Sequence, residues 1–273
     1  MMEYEMLRAL RPIRCFLLDM DGTIYLGDRL LPKAAEFIEY LKASGRGFLF
    51  LTNNSSKDKT AYVEKLSKLG IPCEADDILT SGEATCIYLQ GRAVHKVYLL
   101  GTPELEAEFQ RWGFRLTAES PDVVVIGFDK TLTYAKLVTA CDLLRKGVPY
   151  VATHPDINCP MEDSYIPDCG AMIELIAAST GCRPKVIGKP NREIIESAFK
   201  KRPGFSLAEF AMVGDRLYTD VATGNHAGIC SILVLSGEST RQDVEQSDVK
   251  PHLIAENVAQ LLEALQILDH KAE

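Results

Sequence analysis

The stretch Phe16-Leu17-Leu18-Asp19-Met20-Asp21-Gly22-Thr23 decides how this chain is read. It is a short apolar run that ends in two carboxylates one residue apart, followed by a glycine that can turn sharply. An apolar run of this length reads as a strand buried on both faces, as in a parallel sheet. Ligands of open α/β sheets collect at the carboxyl ends of such strands. Residues two apart on a strand can share a face, so Asp19 and Asp21 are expected together at the mouth of a crevice. Two carboxylates held together repel unless one is protonated or a cation lies between them. Mg²⁺, which prefers carboxylate oxygens and keeps several waters, suits the pair. The alternative is an Asp-Gly turn after a core strand. Average residue usage gives Asp-x-Asp-Gly-Thr by chance in roughly one chain of this length in several hundred, so the reading needs partners elsewhere.

Composition narrows the classes. The chain has 273 residues, 47% hydrophobic and 25% charged, which suits a globular protein of one large or two medium domains. A net charge of −8 and a pI near 5.3 argue against a nucleic-acid polymer as partner. An anionic substrate must then be held by local positive charge. None of the eight cysteines forms a C-x-x-C pair, so a zinc site is not expected and the thiols read as buried and reduced. Met1 to Arg14 lacks the long apolar segment of a secretory signal. No apolar run approaches the ~20 residues that span a bilayer. The expected location is the cytoplasm, with no membrane partner.

Three further strand ends carry polar groups. Phe48-Leu49-Phe50-Leu51 leads into Thr52-Asn53-Asn54-Ser55-Ser56, whose hydroxyls and amides suit phosphate binding or, taken alone, the capping of a helix over about 57–69. Lys189 stands at a strand-to-helix junction in Lys185-Val186-Ile187-Gly188-Lys189-Pro190. This is not a Walker A loop, because Pro190 replaces the required Ser or Thr and Arg183 stands where the first Gly belongs. Phe210-Ala211-Met212-Val213 ends in Gly214-Asp215, with Asp220 five residues on. Singly, each has a structural reading. Converging at one sheet edge, they mark a site.

Between these segments lies a second β-α-β-α-β pattern, with strands at Val97-Leu100, Val123-Ile126 and Tyr150-Thr153. The expected division is 1–91 and 183–273 for a core and 92–182 for an inserted unit. The third strand of the insert feeds a long loop, His154 to Asp168, and loops of that length are usually functional or mobile. Elsewhere, Gly27-Asp28 reads as a two-residue hairpin turn beside Asp21, and Pro32 as the first position of a helix bearing Ala34, Phe37, Ile38 and Leu41.

Asp19-Met20-Asp21-Gly22-Thr23, Leu51-Thr52-Asn53-Asn54-Ser55, Gly188-Lys189-Pro190 and Gly214-Asp215-Arg216-Leu217-Tyr218-Thr219-Asp220 resemble the four ordered motifs of the haloacid dehalogenase (HAD) superfamily. The insertion between the second and third motifs resembles the type IIA cap subclass, which includes nitrophenylphosphatase-like and pyridoxal-phosphate-phosphatase-like enzymes. The resemblance covers essentially the whole chain. It implies an α/β fold with a Rossmann-like, doubly wound parallel-sheet core and an α/β cap that closes over it. It implies a Mg²⁺-dependent hydrolase of small phosphate monoesters, sugar or polyol phosphates among them, with nitrophenyl phosphate as a surrogate. Asp19 would be the nucleophile, forming an aspartyl-phosphate, and Asp21 the general acid and base. Asp19, Asp215 and the backbone carbonyl of Asp21 would hold the metal. Arg216 stands where other subgroups carry a second Asp, which leaves Asp220 as the second acidic residue of that motif. Thr52, Asn53, Asn54 and Lys189 would bind the phosphoryl group. His154, Asp156, Asn158 and the Cys169-Gly170-Ala171 turn are candidate readers of the leaving group, against the alternative of loop structure and helix capping. Nucleotide or pyridoxal-phosphate hydrolysis remains open. So do a phosphotransferase or mutase and a catalytically idle phosphate-binding protein. Cap-mediated dimers occur among relatives, so a homodimer is one arrangement the resemblance allows.

Overall fold

The computed structural model describes residues 2–160 and 164–270 and falls into two compact units. One holds the chain up to Leu51, Tyr62–Leu79 and everything from Pro190 on; the other holds Thr52–Ala61 and Thr80–Lys189.

The first unit is built on a six-stranded sheet in the order Leu253–Ala255, Cys230–Val234, Phe210–Gly214, Cys15–Leu18, Gly47–Thr52, Ile78–Thr80, the last residues of the final two strands being counted with the other unit. The strand Cys15–Leu18 pairs in parallel with both its neighbours, Leu18 lying opposite Val213 on one side and Phe50 on the other. All four of its residues are fully buried, as a strand covered on both faces requires. The helix Ala34–Ala43 covers one face with Ala34, Phe37, Ile38 and Leu41. It starts two residues after Pro32, because Ala34 N–H turns back to the Leu31 carbonyl at 3.2 Å and Lys33 adopts a left-handed φ of 62°. The terminal helix Val258–His270 packs against it. There Arg46, buried to 6% side-chain exposure, grips the Asp269 carboxylate with two hydrogen bonds of 2.7 and 2.8 Å, and the Tyr40 hydroxyl donates to the same carboxylate at 2.5 Å. The hairpin expected at Gly27-Asp28 is present, with Leu26 opposite Arg29.

The second unit carries a five-stranded parallel sheet in the order Lys185–Val186, Tyr150–Ala152, Val123–Ile126, Lys96–Leu100, Arg115–Leu116. Its helices begin where the sequence supplies caps. Thr102 accepts from Leu105 N–H ahead of Pro103–Arg111, Thr133 accepts from Lys136 N–H ahead of Tyr134–Arg145, and Asp168 accepts from Cys169 N–H ahead of Cys169–Thr180. The sequence reads Lys185 as the return to the first domain. In the structure Lys185–Val186 is instead an edge strand paired with Tyr150–Ala152. The segment 154–168 contains two three-residue antiparallel strands, Asn158–Pro160 and Tyr165–Pro167. Met161, Glu162 and Asp163 of that loop lie outside the described residues.

All eight cysteines are free thiols. Burial pushes the Cys15 and Cys169 thiols up to about 12, so neither is a reactive thiolate at neutral pH. Among the described residues no helix is long and apolar enough to cross a membrane.

Candidate active site

In the first unit, the site grows from the carboxyl ends of two adjacent parallel strands. Asp19 N–H donates to the Val213 carbonyl at 2.9 Å, which extends the ladder one residue past Leu18 and sets Asp19 beside the end of Phe210–Gly214. The chain then folds back on itself. The Met20 carbonyl accepts from Ile24 N–H at 2.8 Å and Tyr25 N–H at 3.1 Å, and Gly22 N–H donates to the Tyr25 carbonyl at 2.7 Å. Gly22 has a φ of +84°, and a Cβ there would lie 2.6 Å from Asp215 Cγ. Only glycine permits both the left-handed turn and this close approach. Gly237 flanks Asp215 equally closely, and the neighbouring Glu238 N–H donates to Asp215 Oδ2 at 2.7 Å. A single wide turn, Leu217–Val221, brings Asp220 back, where its carboxylate accepts from Arg216 N–H at 3.2 Å.

Carboxylate oxygens of Asp19, Asp215 and Asp220 consequently all lie within 4.8 Å of one another, with Asp215 and Asp220 almost completely buried. Three converging carboxylates in a site this buried are costly unless a cation lies among them. An all-oxygen donor set fits a hard divalent ion. Asp21, two residues on from Asp19, is exposed. Arg216 introduces a positive charge that composition alone does not reveal. Burial lowers its pKa, but Tyr218, Asp19, Asp215 and Glu238 more than offset that and raise it, and its Nε meets Glu238 at 2.8 Å. The signal was its position directly after Asp215.

The second unit gathers the other predicted groups. Asn53 Oδ1 accepts from Lys189 N–H at 2.8 Å, while Asn53 Nδ2 donates to the Lys189 carbonyl at 3.0 Å and to both oxygens of Asp156 at 3.2 Å. Asn54 N–H donates to the Thr52 hydroxyl at 3.2 Å, and Asn54 Oδ1 accepts from Ser56 N–H at 2.9 Å. Residues 52–56 therefore do not cap the next helix. That helix is Lys59–Lys68, with Asp58 accepting from Thr60 N–H at 2.6 Å.

Of the two readings open to it, His154 takes the structural one. It is fully buried, with Nε2 2.8 Å from Asp168 Oδ1 and Nδ1 2.9 Å from the Thr153 hydroxyl. Both ring nitrogens are engaged inside the unit, so His154 organises the loop. Asp168 is occupied as well, capping its helix through Cys169 N–H at 2.6 Å. Asn158 is exposed on the short hairpin, opposite Pro167. Sequence reasoning missed the Asn53 grip on Lys189, because the two residues stand 136 positions apart.

Residues 16–115 match the family model of haloacid dehalogenase-like hydrolases, and residues 186–261 match a second model of HAD-like hydrolases. An acid sugar phosphatase of Staphylococcus aureus is 35% identical over 244 residues, 89% of this chain and 94% of that protein. The chain belongs to the haloacid dehalogenase-like hydrolases, in their phosphatase branch. The crystal structure of a 4-nitrophenylphosphatase from Thermotoga maritima superposes with a TM-score of 0.89 at 47% identity, covering 93% of this chain and 98% of that one. A glycerol phosphate phosphatase from Mycobacterium tuberculosis, solved in complex with calcium, superposes with a TM-score of 0.84 at 29% identity, covering 91% of this chain and 74% of that one.

Proposed function

We propose that this HAD-family phosphatase hydrolyses small phosphate monoesters, sugar or polyol phosphates foremost, in the cytoplasm and with Mg²⁺ as its cofactor. The observation that carries the reading is the convergence of Asp19, Asp215 and Asp220 within 4.8 Å at the ends of two adjacent parallel strands, with Asp21 exposed two residues on. The core is assigned to the unit that holds the chain up to Leu51, Tyr62–Leu79 and everything from Pro190 on, and the cap to Thr80–Lys189, whose sheet runs on through Lys185–Val186. Names carried by relatives, an acid sugar phosphatase and a nitrophenylphosphatase, support the substrate class.

The chemistry follows from the residues. Phosphate-monoester hydrolysis is among the slowest uncatalysed reactions, with accelerations of up to ~10²¹-fold on record. Asp19 attacks phosphorus through a carboxylate oxygen, forms an aspartyl-phosphate and so divides the reaction into two easier steps. Asp21, reachable from solvent, gives its proton to the departing ester oxygen. It then takes a proton from the water that opens the intermediate. Asp19, Asp215 and the Asp21 backbone carbonyl are the residues to hold Mg²⁺, with Asp220 alongside. The ion supplies positive charge against the phosphoryl oxygens. Thr52, the Asn53 backbone, Asn54 and Lys189 bind those oxygens as they gain charge. Asp156 and Asn158 are the remaining candidates for recognising the leaving group.

The test is phosphate release from nitrophenyl phosphate and a panel of sugar, polyol, nucleotide and pyridoxal phosphates, with Mg²⁺ or a chelator, for the wild type and Asp19→Asn. Mg²⁺-dependent release that the substitution abolishes is the expected result. Release unaffected by Asp19→Asn would overturn the nucleophile assignment.

A further inference from the structure

The Asn53 side chain does more than line a phosphate loop. Its carboxamide meets Lys189 at both backbone polar groups, accepting from N–H at 2.8 Å and donating to C=O at 3.0 Å. Gripped at both, the Lys189 main chain is fixed in orientation, and with it the direction in which the side chain leaves the backbone. The grip works in one amide orientation only. Flipped, Asn53 would turn its Oδ1 toward the Lys189 carbonyl and the Asp156 carboxylate, all acceptors, and its Nδ2 toward an N–H donor. Asp156, with both oxygens 3.2 Å from Asn53 Nδ2, enforces the correct orientation with a charge-assisted hydrogen bond.

The partners of this arrangement are themselves held. The Asn53 carbonyl accepts a short hydrogen bond from the Ser81 hydroxyl. The Asp156 carbonyl accepts from Gly170 N–H at 2.7 Å, a glycine whose Cβ would collide with the Pro155 carbonyl. Gly188 N–H, one residue before Lys189, donates to the Thr153 carbonyl at 2.7 Å. Asn53 and Lys189 are both buried, while Asp156 is half-exposed at the start of the 154–168 segment. Asp156 is thus the most exposed member of the trio.

We propose that Asp156 and Asn53 form a positioning relay that sets the phosphoryl-binding lysine, Lys189, so that Asp156 acts on the phosphoryl group through Asn53. This deepens the proposed function and rests on it, since Lys189 matters to catalysis only if it binds the phosphoryl oxygens. It also separates two roles for Asp156. A residue that only reads the leaving group affects substrates according to that group and leaves the affinity for free phosphate alone. A relay member affects every substrate by the same factor, because the phosphoryl group is common to all, and weakens inorganic phosphate as well.

The experiment measures kcat and KM for nitrophenyl phosphate and glycerol phosphate, and the inhibition constant of inorganic phosphate. It compares the wild type with Asp156→Ala, Asp156→Asn, Asn53→Ala and the Asn53→Ala/Asp156→Ala double variant. Loss of a charge-assisted hydrogen bond should cost Asp156→Ala about tenfold in kcat/KM, equally on both esters, with a parallel rise in the phosphate inhibition constant. Asp156→Asn is isosteric and can still accept from Asn53 Nδ2 through its own carbonyl oxygen, so it should recover most of the loss. The double variant should be no worse than Asn53→Ala alone, as members of one unit are non-additive. An Asp156→Ala effect confined to one ester with phosphate inhibition unchanged would overturn the relay. So would a double variant whose losses multiply. Wild-type protein that turns over no ester, or whose activity survives Asp19→Asn, would instead overturn the phosphatase reading on which the relay rests.

Discussion

Replacing Glu108 by glutamine is expected to make the protein more stable at pH 8 than the wild type, by a margin that vanishes toward pH 4.5. Glu108 lies on the helix Pro103–Arg111 with 4% exposure, next to the equally buried Glu83. Glu83 already has a partner, Lys59 Nζ at 2.8 Å. Burial, and after it the Glu83 charge, pushes the Glu108 carboxyl up from 4.5 to about 7, against a smaller opposing pull from Lys59 and Arg111. The folded protein therefore holds a proton between those values that the unfolded chain releases. Stability from this group is fully present below pH 4.5, declines as pH rises, and is lost once pH passes about 7. At 1.36 kcal/mol per pH unit, the decline amounts to ~3 kcal/mol. Glutamine has no proton to lose, so the difference in stability between variant and wild type isolates this one group. For a chain of this size, ~3 kcal/mol corresponds to a thermal midpoint difference of roughly 6–10 °C. The assay is the thermal midpoint of both proteins at pH 5, 6, 7 and 8. Curves that stay parallel across this range, or that separate toward acid, would refute the argument.

The remaining predictions concern the first unit. Gly22→Ala should abolish Mg²⁺ binding measured by calorimetry, because its Cβ would press on Asp215, and should destabilise by more than ~1 kcal/mol. Gly70→Ala, with a φ of +87° but open space around the Cβ position, should show the backbone cost alone and bind Mg²⁺ normally. Asp215→Asn should lower Mg²⁺ affinity by more than ~10-fold while leaving the melting temperature nearly unchanged, since the amide oxygen can still accept from Glu238 N–H. Asp269→Ala should lower stability by ~1 kcal/mol or less, its carboxylate being 40% exposed and so screened by solvent. Hydrogen bonding to Arg46 holds that carboxyl down at about 2, so denaturation curves of wild type and variant should converge as pH falls from 3.8 through 2.

The sequence made the strand ends legible because the signals there are strong and local. Apolar runs that stop abruptly at Asp19, Thr52 and Asp215 can only be buried strands opening onto a polar edge, and the structure brings the Asp19 and Asp215 carboxylates together. The edge strands Arg115–Leu116 and Lys185–Val186 were not legible, since two residues carry no periodicity. Nor were the partners of His154. A histidine in a long polar loop looks available for a ligand, and only the fold reveals that Asp168 and Thr153 enclose it. The same holds for Asn53, whose side-chain partner comes from the far end of the inserted unit, and for Glu108, whose pKa is raised first by burial and then by Glu83 on another helix. Residue type states what a side chain can do. Long-range packing decides which of those capacities is used.

The parallel order of the first sheet also has a consequence for biosynthesis. Cys15–Leu18 acquires one neighbour, Gly47–Thr52, early, but its other neighbour, Phe210–Gly214, is made nearly two hundred residues later. Throughout that interval the nascent chain exposes an apolar strand with an open hydrogen-bonding edge, the kind of surface that recruits other chains. A ribosome stalled before residue 210 would therefore release a fragment able to fold much of its second sheet yet prone to aggregate through its first. Demand for a chaperone should begin to fall as Phe210–Gly214 emerges from the exit tunnel and end only once Cys230–Val234 and Leu253–Ala255 have followed it.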